Sequence, residues 1–299
     1  TAVRFVILSE NGVIYMGKSA LILEGGAFRG NFTSGVLDVW MEEGLWTDAV
    51  AGTSAGALNG LYYAARQPHT AIRVNTEFAR DSHYVGLRAF AASRSFVNFD
   101  YLFDDICKER IPFDFEGLEH SPIRYMAVAT NCNTGKAAYF EKGDPVDVYQ
   151  AARASSSMPL FSPFVTLEGE PYLDGGISCS FPLQWALDEG YEKIVVVTTR
   201  PLGFRKERLS KRMKDLYYAR YRHWPELMKA LLYMPVQYNK LMDLTDRLAE
   251  EGRILVVRPA APLAVDRLER DPDKLQLVYS QGREQGLRAV PALRELLAE

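Results

Sequence analysis

The chain is poor in the residues that cross-link a fold or hold a metal. Its 299 residues include three cysteines, Cys107, Cys132 and Cys179, with no Cys-x-x-Cys pair. The four histidines, His69, His83, His120 and His223, show no metal-ligand spacing. These absences exclude a disulfide framework and a zinc cluster, and they fit buried, reduced thiols in a cytoplasmic protein. No apolar run approaches the roughly 20 residues that a membrane-spanning helix needs. The first twenty residues lack both a basic start and a long apolar stretch, so no signal peptide is expected. Repeats and low-complexity tracts are also missing. Charge of one sign is scarce as a total: 35 Lys+Arg against 38 Asp+Glu leave a net −3, which gives no support to nucleic-acid binding. What is present, 47 % hydrophobic and 12 % aromatic residues, is the composition of an ordinary globular protein of one large or two small domains.

Residues 19–58 read as strand (19–24), glycine turn, amphipathic helix (32–43), short strand (49–52) and a further helix from Ala55. That alternation implies parallel strands with helices on the faces. Further strands are expected at 124–129 and 193–198. In the latter, Ile194-Val195-Val196-Val197 has the continuous β-branched character of a central parallel strand. Beyond Pro201 the pattern turns to long helices interrupted by one strand at 253–257, which places a soft boundary near residue 204. Residues 1–204 then form the core domain and 205–299 a mainly helical extension. Leu227, Leu231, Met234, Tyr238, Leu241 and Leu248 keep helical spacing, with a kink expected at Pro235, and Asp271-Pro272 suits the start of another helix. The extension is expected to cover one side of the sheet.

Three motifs carry chemistry. Gly52-Thr53-Ser54-Ala55-Gly56 lies between a short strand and a helix, where a serine on a tight turn projects its hydroxyl above the sheet edge. Its flanking glycines avoid collisions with strand and helix, and the helix N-terminus aims amides at charge developing near the serine. The bland alternative is a glycine turn with a spectator serine. Glu24-Gly25-Gly26-Ala27-Phe28-Arg29-Gly30 follows the first strand. As a dinucleotide fingerprint it is weak, because Ala27 replaces the middle glycine and Asp48 precedes its strand. As an oxyanion hole, with Arg29 as an added positive charge, it suits the neighbouring serine motif. Asp174-Gly175-Gly176 follows a short apolar strand. Asp-Gly alone marks a turn, but a serine nucleophile needs a base. Only His223 follows in Ser…Asp…His order, in a basic-aromatic segment typical of a surface helix.

These three motifs in this order, together with Ala154-Ser155-Ser156-Ser157-Met158-Pro159-Leu160-Phe161, resemble the patatin-like phospholipases over residues 19–200. The resemblance implies a three-layer α/β/α sandwich with a mostly parallel central sheet and a Ser–Asp dyad without histidine. It makes Ser54 the nucleophile, Asp174 its base, and the amides of Gly25, Gly26 and Ala27 the oxyanion hole. Arg29, Gly30, Gly52, Gly56, Gly175 and Gly176 support the motifs, and glycine usually stands in that family where this chain has Ala27. It also implies hydrolysis of a lipid ester, phospholipid or lysophospholipid, through an acyl-enzyme. No metal and no organic cofactor is required by these residues. A thioesterase or small-ester carboxylesterase with the same dyad, or a non-catalytic lipid-binding protein, are the alternatives.

Two surrounding features bear on substrate. Phe90, Phe96, Phe99, Tyr101, Phe103, Phe113 and Phe115 either line an acyl pocket or lid or, for most of them, fill the core. Residues 200–222 hold nine basic and two acidic side chains, a segment of +7 within a remainder of −10. Leu209, Met213, Leu216, Tyr217, Tyr221 and Trp224 recur there at helical spacing. Residues 205–224 are therefore either an interfacial helix for an anionic membrane surface or a solvated face whose apolar stripe packs inward.

Overall fold

The computed structural model describes residues 6–9, 12–15 and 19–298, so part of the stretch tested for a signal peptide lies outside the described residues. Val6–Ser9 (β1) and Gly12–Tyr15 (β2) pair as an antiparallel ribbon. The other strands, Ser19–Leu23 (β3), Ala49–Thr53 (β4), Arg124–Asn131 (β5), Ala137–Glu141 (β6), Val165–Leu167 (β7), Glu170–Asp174 (β8), Lys193–Val197 (β9) and Ile254–Val257 (β10), form one sheet. Its order is β10-β9-β3-β4-β5-β8-β7, with β6 also paired to β5. From β10 to β5 every pairing is parallel, while β6, β8 and β7 are added antiparallel. The helices are Gly30–Glu42 (α1), Ala55–Ala64 (α2), Thr70–Glu77 (α3), Leu87–Ser93 (α4), Phe115–His120 (α5), Val148–Ser155 (α6), Leu183–Asp188 (α7), Lys211–Tyr221 (α8), Pro225–Glu250 (α9) and Pro272–Ala298 (α10).

The central strands are apolar on both faces because both faces are covered. Leu21 and Leu23 of β3 join Val195 and Val197 of β9 in one core, while Ala20 and Ile22 join Ile194 and Val196 in the other. Helices α1, α2 and α10 contribute to the first core, and α7 and α9 to the second, giving the three-layer sandwich.

Residues beyond 204 do not lie on one side of the sheet, as their pattern led one to expect. Strand β10 extends the sheet beside β9, and α9, a single helix through Pro235, buries Tyr238, Met242 and Leu248 on one face. On the opposite face α10 buries Leu275, Val278 and Leu293 against the first core. It approaches α1 closely through glycines: a Cβ at Gly35 would overlap the Tyr279 carbonyl, and one at Gly282 the Phe32 carbonyl. Trp40 Nε1 donates to the Gly286 carbonyl at 3.2 Å, and the Tyr279 hydroxyl to Asp38 at 2.8 Å, tying the two helices together. The closest approach of this seam runs through glycines, which leave no hydrophobic signal, so the second face was not foreseen. Among the described residues no helix is long and apolar enough to cross a membrane.

Candidate active site

The C-terminal ends of β3, β4 and β9 meet at one edge of the sheet, where parallel α/β folds place their ligands. Strand β4 ends at Thr53 and α2 begins at Ala55, leaving Ser54 alone in the turn with φ 55° and ψ −125°. A non-glycine residue held there stores about 1–3 kcal/mol of strain. Its anchor is Ser155: the Ser54 N–H donates to Ser155 Oγ at 2.8 Å, and that hydroxyl donates to the Val128 carbonyl at 2.5 Å. The turn closes because Gly52 and Gly56 carry no Cβ, which at Gly52 would overlap Gly56 and at Gly56 the Leu23 carbonyl.

Asp174 arrives from the end of β8, 120 residues away in sequence. Ser54 Oγ donates to its Oδ2 at 2.7 Å, and the Gly176 N–H donates to its Oδ1 at 2.7 Å. The carboxylate is thus held from both sides, and its backbone is fixed by Ser157 and Thr130. Burial pushes the Asp174 carboxyl above its ordinary pKa, opposed by the bonds from Ser54 and Gly176 and by Lys206 and Arg267. A carboxylate so placed is a better proton acceptor than one in water.

The glycine-rich turn lies opposite Ser54, with one correction to its expected role. The Gly25 N–H donates to the Ser180 carbonyl at 3.3 Å, so this amide is engaged in holding the turn. Among the described residues, the amides of Gly26 and Ala27 have no such acceptor, nor does that of Ala55 at the start of α2. Ala27 has φ 49°, the left-handed conformation in which alanine costs about 1–2 kcal/mol relative to glycine. Arg29 completes the short 3₁₀ turn, Gly30 begins α1, and Gly175 follows Asp174 into its own turn. Burial, with Arg200 beside it, pushes the Arg29 pKa down to about 10, and among the described residues its Nε has no hydrogen-bond acceptor.

Two cavities meet at Ser54, sharing Ala27, Met158 and Arg267 as walls. One, about 90 Å³, is mostly apolar, with Phe99, Phe103, Phe113, Phe115 and Tyr149 among its walls. Part of its wall is a ten-residue π-helical segment, Tyr101–Arg110, a winding often retained where a site needs it. Of the aromatic residues singled out by sequence, Phe90 and Phe96 stack together instead, with Phe161 against Phe96, and Tyr101 donates to Asp81. The other cavity, about 370 Å³, has Glu24, Arg29, Arg200, Lys206 and Arg267 in its walls.

All four histidines are exposed, and His223 lies in the turn between α8 and α9. Among the described residues no group of His, Cys, Asp and Glu could hold a metal. The basic segment differs from a continuous interfacial helix over 205–224. Helix α8 starts only at Lys211, and Tyr217 and Tyr221 of its apolar stripe are buried with Leu173, Ile177 and Leu227. Arg205 pairs with Asp243 and Asp246, and Arg200 and Lys206 face the cavity. Glu24, Ser155, Thr130 and Tyr238 were missed as site residues. Ser155 had a signal in its place in the 154–161 stretch and Glu24 in opening the 24–30 motif, while Tyr238 showed only as part of a helical apolar period. Glu24 is buried and accepts from the Tyr238 hydroxyl at 2.9 Å and the Thr199 N–H at 2.6 Å.

The family model described as patatin-like phospholipase matches residues 21–187, and one described as a domain of unknown function (DUF6363) matches residues 224–298. The uncharacterized protein YjjU of Escherichia coli is 26 % identical over 308 residues, covering 95 % of this chain and 80 % of that protein. The patatin-like phospholipase domain-containing protein ZK370.4 of Caenorhabditis elegans is 31 % identical over 54 % of this chain and 12 % of its own length. Lysophospholipase nte1 of Aspergillus terreus is 28 % identical over 54 % of this chain and 10 % of its own length. Among solved structures, VipD of Legionella pneumophila aligns with a TM-score of 0.44 at 14 % identity, covering 96 % of this chain and 70 % of that one.

Proposed function

The chain belongs to the patatin-like phospholipase family, and on that premise we propose that it is a serine acyl hydrolase cleaving ester bonds of phospholipids or lysophospholipids through Ser54 and Asp174. The observation that carries the reading is the 2.7 Å bond from Ser54 Oγ to a buried carboxylate, with unengaged amides on the other side of the serine. Ser54 Oγ attacks the ester carbonyl as its proton passes to Asp174 Oδ2. The amides of Gly26, Ala27 and Ala55 receive the oxyanion, and each such donor is worth about 3–4 kcal/mol of barrier. Asp174 then gives the proton to the leaving alcohol, and the acyl group stays on Ser54. Water, deprotonated by the same carboxylate, releases the fatty acid and restores the serine. The apolar cavity beyond Ser54 suits the acyl chain.

A thioesterase or small-ester carboxylesterase would use the same groups. The apolar, aromatic-lined cavity favours an acyl chain over a small polar ester, and a chain-length series of esters, thioesters and phospholipids ranks the three. A fluorophosphonate probe that labels the wild type and not Ser54→Ala supports a serine hydrolase. Failure to label folded wild-type protein would sink that reading in favour of a lipid-binding protein. Helix α8 also supports peripheral contact with an anionic membrane. Lys211, Arg212 and Lys214 are exposed beside Leu216 and Tyr218, and Met213 and Tyr217 of the same helix line the cationic cavity.

A further inference from the structure

The cationic cavity contains more positive charge than the proposed acyl transfer uses. Arg29, Arg200, Lys206 and Arg267 line it, and among the described residues none of the four forms an ion pair with a carboxylate. Two are held by aromatic faces instead. The Arg200 guanidinium lies 4.3 Å from the Phe204 ring centre, and Lys206 Nζ 4.1 Å from that of Tyr238. The Lys206 backbone is clamped by Asn239, which accepts its N–H at 2.7 Å and donates to its carbonyl at 3.0 Å.

The carboxylates in the same walls are committed elsewhere. Glu24 is buried and bonded to Tyr238 and Thr199, and Asp174 is bonded to Ser54 and Gly176. Glu207 alone remains, exposed. Burial, with Arg267 and Arg29 nearby, pushes the Lys206 pKa down to about 8 against the pull of Glu24 and Asp174. Four cations without a carboxylate partner, three of them half-buried, around a cavity beside the nucleophile shape that cavity for an anion.

We propose that this cavity binds the phosphate of a glycerophospholipid with a net negative, amine-free head group, and that Arg200, Lys206 and Arg267 set that preference. All three lie outside the segment matched by the patatin-like model, so the preference is written in the C-terminal part of this chain. Arg267 stands where the two cavities join, between the acyl chain and the head group. A choline or ethanolamine group would find no free buried carboxylate here and would face like charge. The inference rests on the hydrolase reading, since it places the ester at Ser54.

The test uses short-chain phospholipids kept below their micelle concentration, so that surface attraction plays no part. Phosphatidylglycerol and phosphatidylcholine of equal acyl length are compared for hydrolysis by the wild type and for calorimetric binding to Ser54→Ala. The expected result is a kcat/KM ratio of about tenfold or more in favour of the glycerol head group. Lys206→Met and Arg267→Met each should lower that ratio severalfold, through KM, and Lys206→Arg should restore it. Arg267 is exposed, so its variant answers even if Lys206→Met does not fold. Equal hydrolysis of the two lipids, or a ratio unmoved by either variant, would overturn the proposal while leaving the hydrolase intact. Glycerol 3-phosphate binding as tightly as the lipid would also overturn it, making the cavity a free-phosphate site. If no ester is cleaved but Ser54→Ala binds phosphatidylglycerol selectively, the hydrolase reading falls and the cationic cavity stands.

Discussion

Residues 19–199 and residues 200–298 wall the same site, but they do so by different physics. The first region works through the backbone. Ser54 is displayed by a strained turn, its amide is pinned by Ser155, and the opposing amides are freed by a turn that Gly25 holds closed. The second region works through side chains on a packed scaffold, with Lys206 clamped by Asn239 and Tyr238 of α9 reaching Glu24 beneath the cavity. A chemistry that needs fixed amides is thus built from tight backbone turns, and a charge preference from loop side chains, that of Lys206 braced by a long helix.

The sharpest break of that comparison comes from the first region. Asp174→Asn removes the proton acceptor without changing shape, and ester hydrolysis should fall by about three orders of magnitude or more in kcat. His223→Ala, altering an exposed turn, should keep most of the activity. Loss of hydrolysis in folded His223→Ala would overturn the Ser54–Asp174 assignment. One step down in size, Ser155→Ala leaves the Ser54 amide without its acceptor, which costs about 1–3 kcal/mol. Its measure is a fall of about tenfold or more in the fluorophosphonate labelling rate of folded protein.

The second region should break through stability. Gly282→Ala forces a methyl into the Phe32 carbonyl where α10 crosses α1, and overpacking of this kind costs about 1–3 kcal/mol. Thermal melting should report it as a lower Tm with the site chemistry intact in the fraction that remains folded. A Tm equal to the wild type would mean that α10 is not part of the cooperative unit.

The contrast also explains what could be read from the chain. Ser54, Asp174 and the turn at 25–30 announce themselves because strained backbone and close approach restrict which residues fit, leaving patterns such as Gly-x-Ser-x-Gly. The parallel strands at 19–23, 49–53, 124–131 and 193–197 were legible from their apolar runs, whereas the antiparallel edge strands β6 and β7, with few buried positions, were not. Gly25 shows the limit: its pattern is that of an amide donor, yet only the position of Ser180 tells that the amide is engaged. Arg200 and Lys206 show another. The charge run at 200–222 was visible, but whether each head points outward or into a cavity depends on α9, whose contact with the loop has no local signature. Gly35 and Gly282 hid α10's place for the same reason, since absent side chains leave no hydrophobic period.

The mildest effect concerns the point where both regions act on one group. Burial holds the Asp174 carboxyl above its ordinary value of 3.8, while Lys206 and Arg267 pull it back. As a base it must be ionised, so kcat/KM should fall as pH drops through that raised value. The acid limb should therefore lie at higher pH than an exposed carboxylate would give. For stability the sign is the reverse of a salt-bridged aspartate. A folded-state pKa above the unfolded one means that the stability tied to this group is fully present below the unfolded value and is lost as pH rises through the folded one. Asparagine cannot ionise and escapes that loss. The Tm of Asp174→Asn minus that of the wild type should therefore grow as the pH rises above the ordinary value of 3.8, so that the variant stripped of activity gains in relative stability. A difference that shrinks over that range would mean that the cations of the second region outweigh burial, and that Asp174 is held below the ordinary carboxylate range.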